Sequence, residues 1–180
     1  HTKGTSNDRY RIVTKLDDVA IDTTDAVVPW TGPVLRLQLN RPSGGSDYSY
    51  SPNDCSVGDV DGDGNYELIV KWDPSNSKDN SQNGVTGNVY IDCYRLDGSQ
   101  LWRIDLGPNI RAGAHYTQFM VYDFDGDGRS ELMCKTAPGS KDGLGRYVNQ
   151  ASTQNTILNA NNSTIHRNSN GRIIGGQEYL

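Results

Sequence analysis

The sequence predicts an all-β fold of short strands and many turns, on three observations. Only 34% of the 180 residues are hydrophobic, and Gly alone contributes 20, a composition that fits strands joined by turns better than a helical bundle. Several stretches alternate apolar and polar residues with the period of two that a half-buried strand requires. An acidic loop also occurs twice in the same setting. Asp59-Val60-Asp61-Gly62-Asp63-Gly64-Asn65-Tyr66-Glu67-Leu68 returns as Asp123-Phe124-Asp125-Gly126-Asp127-Gly128-Arg129-Ser130-Glu131-Leu132.

Residues 1–47 read as an N-terminal leader and strand segment. The first 30 or so are polar and weakly patterned, and Pro33-Val34-Leu35-Arg36-Leu37-Gln38-Leu39 alternates as one strand. Arg41-Pro42-Ser43-Gly44-Gly45-Ser46 then marks a loop. From residue 48 the chain is organised by the repeat, whose period is 64 residues from Asp59 to Asp123. Each acidic loop runs directly into an apolar strand, Glu67–Trp72 and Glu131–Thr136, with Lys71 and Lys135 at equivalent places. Two further strands follow the first, Asn88–Tyr94 and Gln100–Leu106, around Leu96-Asp97-Gly98-Ser99. Asp-Gly between alternating runs is a strong hairpin signal.

One unit therefore holds a short strand, an acidic loop, a strand, an excursion and a hairpin. A four-stranded unit recurring at this period reads as a β-propeller blade with a long insertion. Residues 48–180 supply about two such blades, too few to close a ring, so the chain reads as a truncated part of a larger propeller. Residues 149–170, rich in Asn, Ser and Thr, read as a loop insertion, and 171–180 as the start of another strand.

The loops carry the chemistry. Carboxylates at positions 1, 3, 5 and 9, with glycine at 4 and 6, place hard oxygen ligands around a tight turn, a pattern that suits calcium. The ligands read from the first loop are Asp59, Asp61, Asp63 and Glu67 with the backbone carbonyl of Asn65. Those of the second are Asp123, Asp125, Asp127 and Glu131 with the carbonyl of Arg129. An EF-hand is excluded, because position 12 is Val70 or Cys134 and the flanks are strand-like.

Other features narrow the function classes. The net charge of −5 leaves no basic footprint for nucleic acid, and no apolar run approaches the length of a membrane span. The chain begins with His1, which suggests a processed, tagged or excised N-terminus and leaves secretion open. Three cysteines, Cys55, Cys93 and Cys134, form an odd set. All three read as small buried hydrophobes.

Four segments together resemble one enzyme family: Tyr48–Asp59, Lys71–Asn80, Leu101–Gly107 and Asn109–Phe119. They are similar to the rhamnogalacturonan lyases of polysaccharide lyase family 11, over roughly residues 33–180 and in the N-terminal portion of such a chain. The resemblance implies a secreted, pectin-degrading enzyme on an eight-bladed, calcium-laden propeller. Its substrate would be type I rhamnogalacturonan, cleaved by β-elimination. Carried over by motif, Asn53 and Asp73 are substrate-binding positions, and Asp54 joins the calcium ligands. The family's catalytic cations and proton-transferring groups fall on later blades, so the remaining blades are an implied partner.

β-Elimination needs a cation at the uronate carboxylate, a base for the C5 proton and help for the leaving oxygen. The candidates within this chain are Lys71, Arg111, His115 and Lys135. The lysines, at equivalent repeat positions, read as structural. Arg111 and His115 read as packing between blades, with substrate contact as the alternative. Among the aromatics, Trp72 is assigned to the groove and Trp102 to the core. The reading from another class is a non-catalytic, calcium-dependent carbohydrate-binding or adhesion module of the integrin-like propeller type.

Overall fold

A computed structural model describes residues 8–29, 32–113 and 116–180. The described residues form eight strands, with one 3₁₀ turn at Val148–Ala151 and one turn of α-helix, Asn155–Leu158. The chain divides into two compact units, residues 1–37 and 38–180. The fold is all-β, and the described residues form no closed barrel.

The first unit is a hairpin of β1 (Val13–Leu16) and β2 (Val19–Thr23), paired from Val13↔Thr23 to Leu16↔Val19. Its turn is Asp17-Asp18, with φ of 49° and 63°. Positive φ at both central residues is the type I′ geometry that matches strand twist, and Asp tolerates it. The weak apolar pattern of residues 1–30 conceals this hairpin because both strands are exposed along their full length.

In the second unit, β3 (Tyr50–Gly58), β4 (Glu67–Pro74), β5 (Tyr90–Tyr94) and β6 (Gln100–Asp105) form an antiparallel sheet in that order. β7 (Phe119–Tyr122) and β8 (Glu131–Cys134) form a second, two-stranded sheet. The β5–β6 hairpin lies where Asp97-Gly98 predicts it, and Gly98 has φ 90°.

The central strands β4 and β5 are buried on both faces, while β3 is largely exposed and β6 half-buried. Ile69, Val89, Ile91 and Cys93 pack on one side with Leu106, Ile110, Ala112 and Ala137. Tyr50, Val70, Trp72 and Tyr94 pack on the other. Each large apolar side chain so buried contributes about 1.5–3 kcal/mol.

A buried carboxylate ties this sheet together. Asp92, fully buried on β5, accepts from Trp72 Nε1 at 2.7 Å, Tyr94 Oη at 2.6 Å, and Arg103 Nε and Nη2 at 2.7 and 2.6 Å. Arg103 also donates to the Asn40 carbonyl, and the Asn40 N–H donates to Tyr94 Oη at 3.1 Å.

Several sequence expectations need correction. Pro33–Leu39 forms no strand. At its end, Leu39 packs against the Tyr50–Trp72 cluster and the next residue's backbone is satisfied by Tyr94 and Arg103, so no ladder is required. Residues 171–180 contribute isolated bridges, Arg167↔Ile173 and Thr136↔Tyr179, in place of a strand. Trp72 is 2% exposed and its indole N–H is held by Asp92, which removes it from any groove. Trp102 packs against the core as expected. All three cysteines are free, but Cys55 is exposed because β3 turns that stretch outward. Burial pushes the Cys93 thiol up to about 12, with Glu67 adding to it, and the Cys134 thiol up to about 11. Both therefore stay protonated and behave as packing groups.

Asp105 gives the fold a pH signature. Its Oδ1 accepts from Asn88 Nδ2 at 2.9 Å and from the Gly107 N–H at 2.8 Å. Burial nevertheless raises its pKa, outweighing those bonds. A raised folded-state pKa means the contribution to stability is fully present below the ordinary carboxylate value and is lost as pH rises through the folded value. Asp105→Asn should therefore raise the melting temperature at about pH 7 more than at about pH 3. Thermal denaturation at the two values checks this, and a lower melting temperature at neutral pH contradicts it.

Candidate functional site

The two acidic loops repeat one hydrogen-bond design. Asp59 Oδ1 accepts from the Gly62 N–H at 2.7 Å and Oδ2 from the Gly64 N–H at 2.8 Å. Asp123 does the same with Gly126 and Gly128 at 2.7 and 3.0 Å. Glu67 Oε2 accepts from the Val60 N–H, and Glu131 Oε2 from the Phe124 N–H, each at 2.9 Å. Gly62, Gly64, Gly126 and Gly128 have φ between 77° and 91°, a region that disfavours side chains and explains both glycine pairs.

This winding gathers carboxylates. Oxygens of Asp59, Asp61 and Glu67 lie within 4.8 Å of one another, as do those of Asp123, Asp125 and Asp127. Asp63 lies outside the first group and Glu131 outside the second. Asp61 Oδ1 is buried without a hydrogen-bond partner, an oxygen that a bound hard cation would satisfy. The all-oxygen donor set fits calcium on these grounds. The loops also adjoin: the Ser130 N–H donates to the Asp59 carbonyl at 2.7 Å, and the Arg129 side chain lies over Gly62.

They differ in one respect that the sequence conceals. Arg95 Nη2 contacts Asp61 Oδ2 at 2.5 Å. That hydrogen bond is the main reason the Asp61 carboxyl sits below its ordinary pKa. Arg95 follows β5, 34 residues away, so no local pattern could have pointed to it.

Asn53 and Asp73, the positions expected from the sequence to touch substrate, both lie on the β3–β4 pair. Asp73, half-buried, is opposite Ser51, and Asn53 is exposed in the bulge between Pro52 and Cys55. Asp54, in the same bulge, directs its carboxylate to Lys71 and stands apart from both carboxylate groups.

Lys71 and Lys135 do not share a role. Lys71 is 2% exposed; besides Asp54 it donates to the Thr117 carbonyl at 3.3 Å. Lys135 is half-buried and pairs with Glu178 at 2.8 Å. Arg111 is buried, with Nη2 on the Gln82 carbonyl at 2.6 Å and Nη1 near Tyr116 Oη at 3.3 Å. His115 lies outside the described residues.

The sequence model described as "Rhamnogalacturonan lyase family 11, C-terminal domain" matches residues 33–180. The chain belongs to rhamnogalacturonan lyase family 11. The match is to the C-terminal domain of the family, which replaces the N-terminal placement drawn from the sequence. The chain is 50% identical to the rhamnogalacturonan endolyase YesW of Bacillus subtilis (strain 168), over 98% of its own length and 28% of the relative's. It is 54% identical to the rhamnogalacturonan exolyase YesX of the same organism, over 84% of its length and 24% of the relative's. The solved structure of YesW superposes with a TM-score of 0.79 at 50% identity, covering 99% of this chain and 30% of the other. A Bacillus licheniformis rhamnogalacturonan lyase gives 0.81 at 48% identity, with coverages of 99% and 30%. The chain thus spans less than a third of the length of these family 11 relatives.

The Lys71 geometry makes a measurable claim about this family 11 chain. Removing one member of a buried ion pair is severe when the other is left buried, but the Asp54 side chain is 64% exposed and water can take over. Lys71→Met should therefore cost only about 1–2 kcal/mol, read by denaturant unfolding. A loss near 4 kcal/mol contradicts the assignment.

Proposed function

We propose that this chain is part of a secreted rhamnogalacturonan lyase, contributing calcium-binding loops and part of the substrate groove of an eight-bladed β-propeller. The observation that carries the reading is the 50% identity, sustained along 98% of the chain, to a protein named a rhamnogalacturonan endolyase. In this reading the β3–β6 sheet is one blade and β7–β8 begins the next. The substrate is type I rhamnogalacturonan, cleaved between rhamnose and galacturonate by β-elimination.

Calcium would be held by Asp59, Asp61, Asp63 and Glu67 with the Asn65 carbonyl, and by Asp123, Asp125, Asp127 and Glu131 with the Arg129 carbonyl. Bound there, it would neutralise carboxylates that otherwise repel one another and so brace the strand entries. Asn53 and Asp73 offer an amide and a carboxylate at one end of the sheet, able to accept and donate hydrogen bonds to sugar hydroxyls. Lys71 and Arg111 are committed to buried contacts within the protein. The proton-transferring groups are accordingly assigned to the remaining blades. The endolyase likeness favours part of an enzyme over a free-standing adhesion module.

The test is incubation of the protein with type I rhamnogalacturonan and calcium, following the ultraviolet absorbance of the unsaturated product, with a parallel melt in EDTA. A lowered melting temperature in EDTA is expected, with product formed only when the remaining blades are present and calcium is bound. An unchanged melt counts against the loops as calcium sites. Product from these residues alone, folded and calcium-loaded, counts against assigning the proton-transferring groups to the remaining blades.

A further inference from the structure

A cavity of about 160 Å³ lies apart from both acidic loops, walled in part by Arg111, Lys135, Arg172 and Glu178. Its charge is unbalanced. Among the described residues Glu178 is the only acid in the wall, and it is paired with Lys135. The two guanidinium groups have no carboxylate partner among the described residues. Arg172 donates to Asn83 Oδ1 at 2.7 Å and to the Asn80 carbonyl at 3.1 Å. Arg111 donates to the carbonyls of Asp79, Gln82 and Gly84 at 3.2, 2.6 and 3.3 Å, and its Nε is buried without a partner.

Burying a cation without a counter-ion is unfavourable, and carbonyl dipoles offset only part of that cost. The structure nevertheless buries Arg111 and holds it, with half-buried Arg172, in place through one segment, residues 79–84. That segment is fixed in turn. The Gly84 N–H donates to the Asn170 carbonyl at 2.9 Å, and a Cβ on Gly171 (φ 78°) would meet the Gly84 oxygen at 1.9 Å. Two fixed guanidiniums and a partly exposed ammonium around one cavity make a preorganised anion site.

We propose that this cavity binds a carboxylate borne by a sugar, a uronic-acid unit. Arg172 and Lys135 make the contacts, and buried Arg111 supplies a positive field behind them. The choice of a uronate over other anions rests on the lyase reading above; the anion site itself does not. A single sugar ring and its carboxylate are of the size the cavity admits.

The experiment titrates D-galacturonate, its methyl ester and inorganic phosphate into the calcium-loaded protein by calorimetry, with Arg172→Gln, Lys135→Gln and Asp73→Ala in parallel. Saturable galacturonate binding is expected, weakened about tenfold by Arg172→Gln, the loss of one charge-assisted contact. Lys135→Gln should weaken it less, and the methyl ester, lacking the charge, should bind at least about tenfold more weakly. Affinity untouched by both Arg172→Gln and Lys135→Gln overturns the proposal, as does a loss confined to Asp73→Ala. Phosphate binding as tightly as galacturonate overturns the uronate assignment. A protein that binds galacturonate through Arg172 yet shows no affinity for type I rhamnogalacturonan sinks the lyase reading and leaves the site standing.

Discussion

One fully buried carboxylate organises the larger unit. Asp92 receives hydrogen bonds from β4, β5 and β6 through Trp72, Tyr94 and Arg103. Buried charge is tolerated only when paired and fully hydrogen-bonded, and here four donors meet that condition. The arrangement fixes register, because a one-residue slip of any strand would turn its donor to the opposite face. It also reaches beyond the sheet, since Arg103 and Tyr94 both engage Asn40. The β3–β4 pair that presents Asn53 and Asp73 takes its position from this sheet.

Packing and electrostatics divide the work between the two ends of the unit. Apolar side chains cover both faces of the central strands β4 and β5, while the acidic clusters collect in the loops where strands enter. The two loops touch through Ser130 and the Asp59 carbonyl, so charge in one is felt in the other. Arg129 and Arg95 both lie near the Asp61 carboxylate and both help keep it ionised. Among the described residues no arginine pairs with Asp125. The second loop therefore has the simpler electrostatic environment, although the sequences of the two loops nearly coincide.

Much of this was legible in the sequence because it is local. The acidic loops, the strands that leave them and the Asp97-Gly98 hairpin each depend on residues a few positions apart. What escaped depends on distant partners. Trp72 reads as a surface aromatic until Asp92, on the neighbouring strand, captures its indole. Lys71 and Lys135 occupy equivalent repeat positions, yet one finds Asp54 and the other Glu178. Arg95, Arg172 and Glu178 carry no motif of their own, so their roles follow only from where the fold brings them. The β1–β2 hairpin escaped for a different reason. Both its faces are exposed, so it has no apolar alternation, and its only mark is the Asp17-Asp18 turn.

The account stands or falls on Asp92. Native-state amide hydrogen exchange of Asp92→Ala against the unmodified protein measures the claim strand by strand. The account predicts a loss of about 3–5 kcal/mol, with β4, β5 and β6 losing protection together. Protection retained to within about 0.5 kcal/mol on β4 and β6, an effect expected of an ordinary surface substitution, would contradict it.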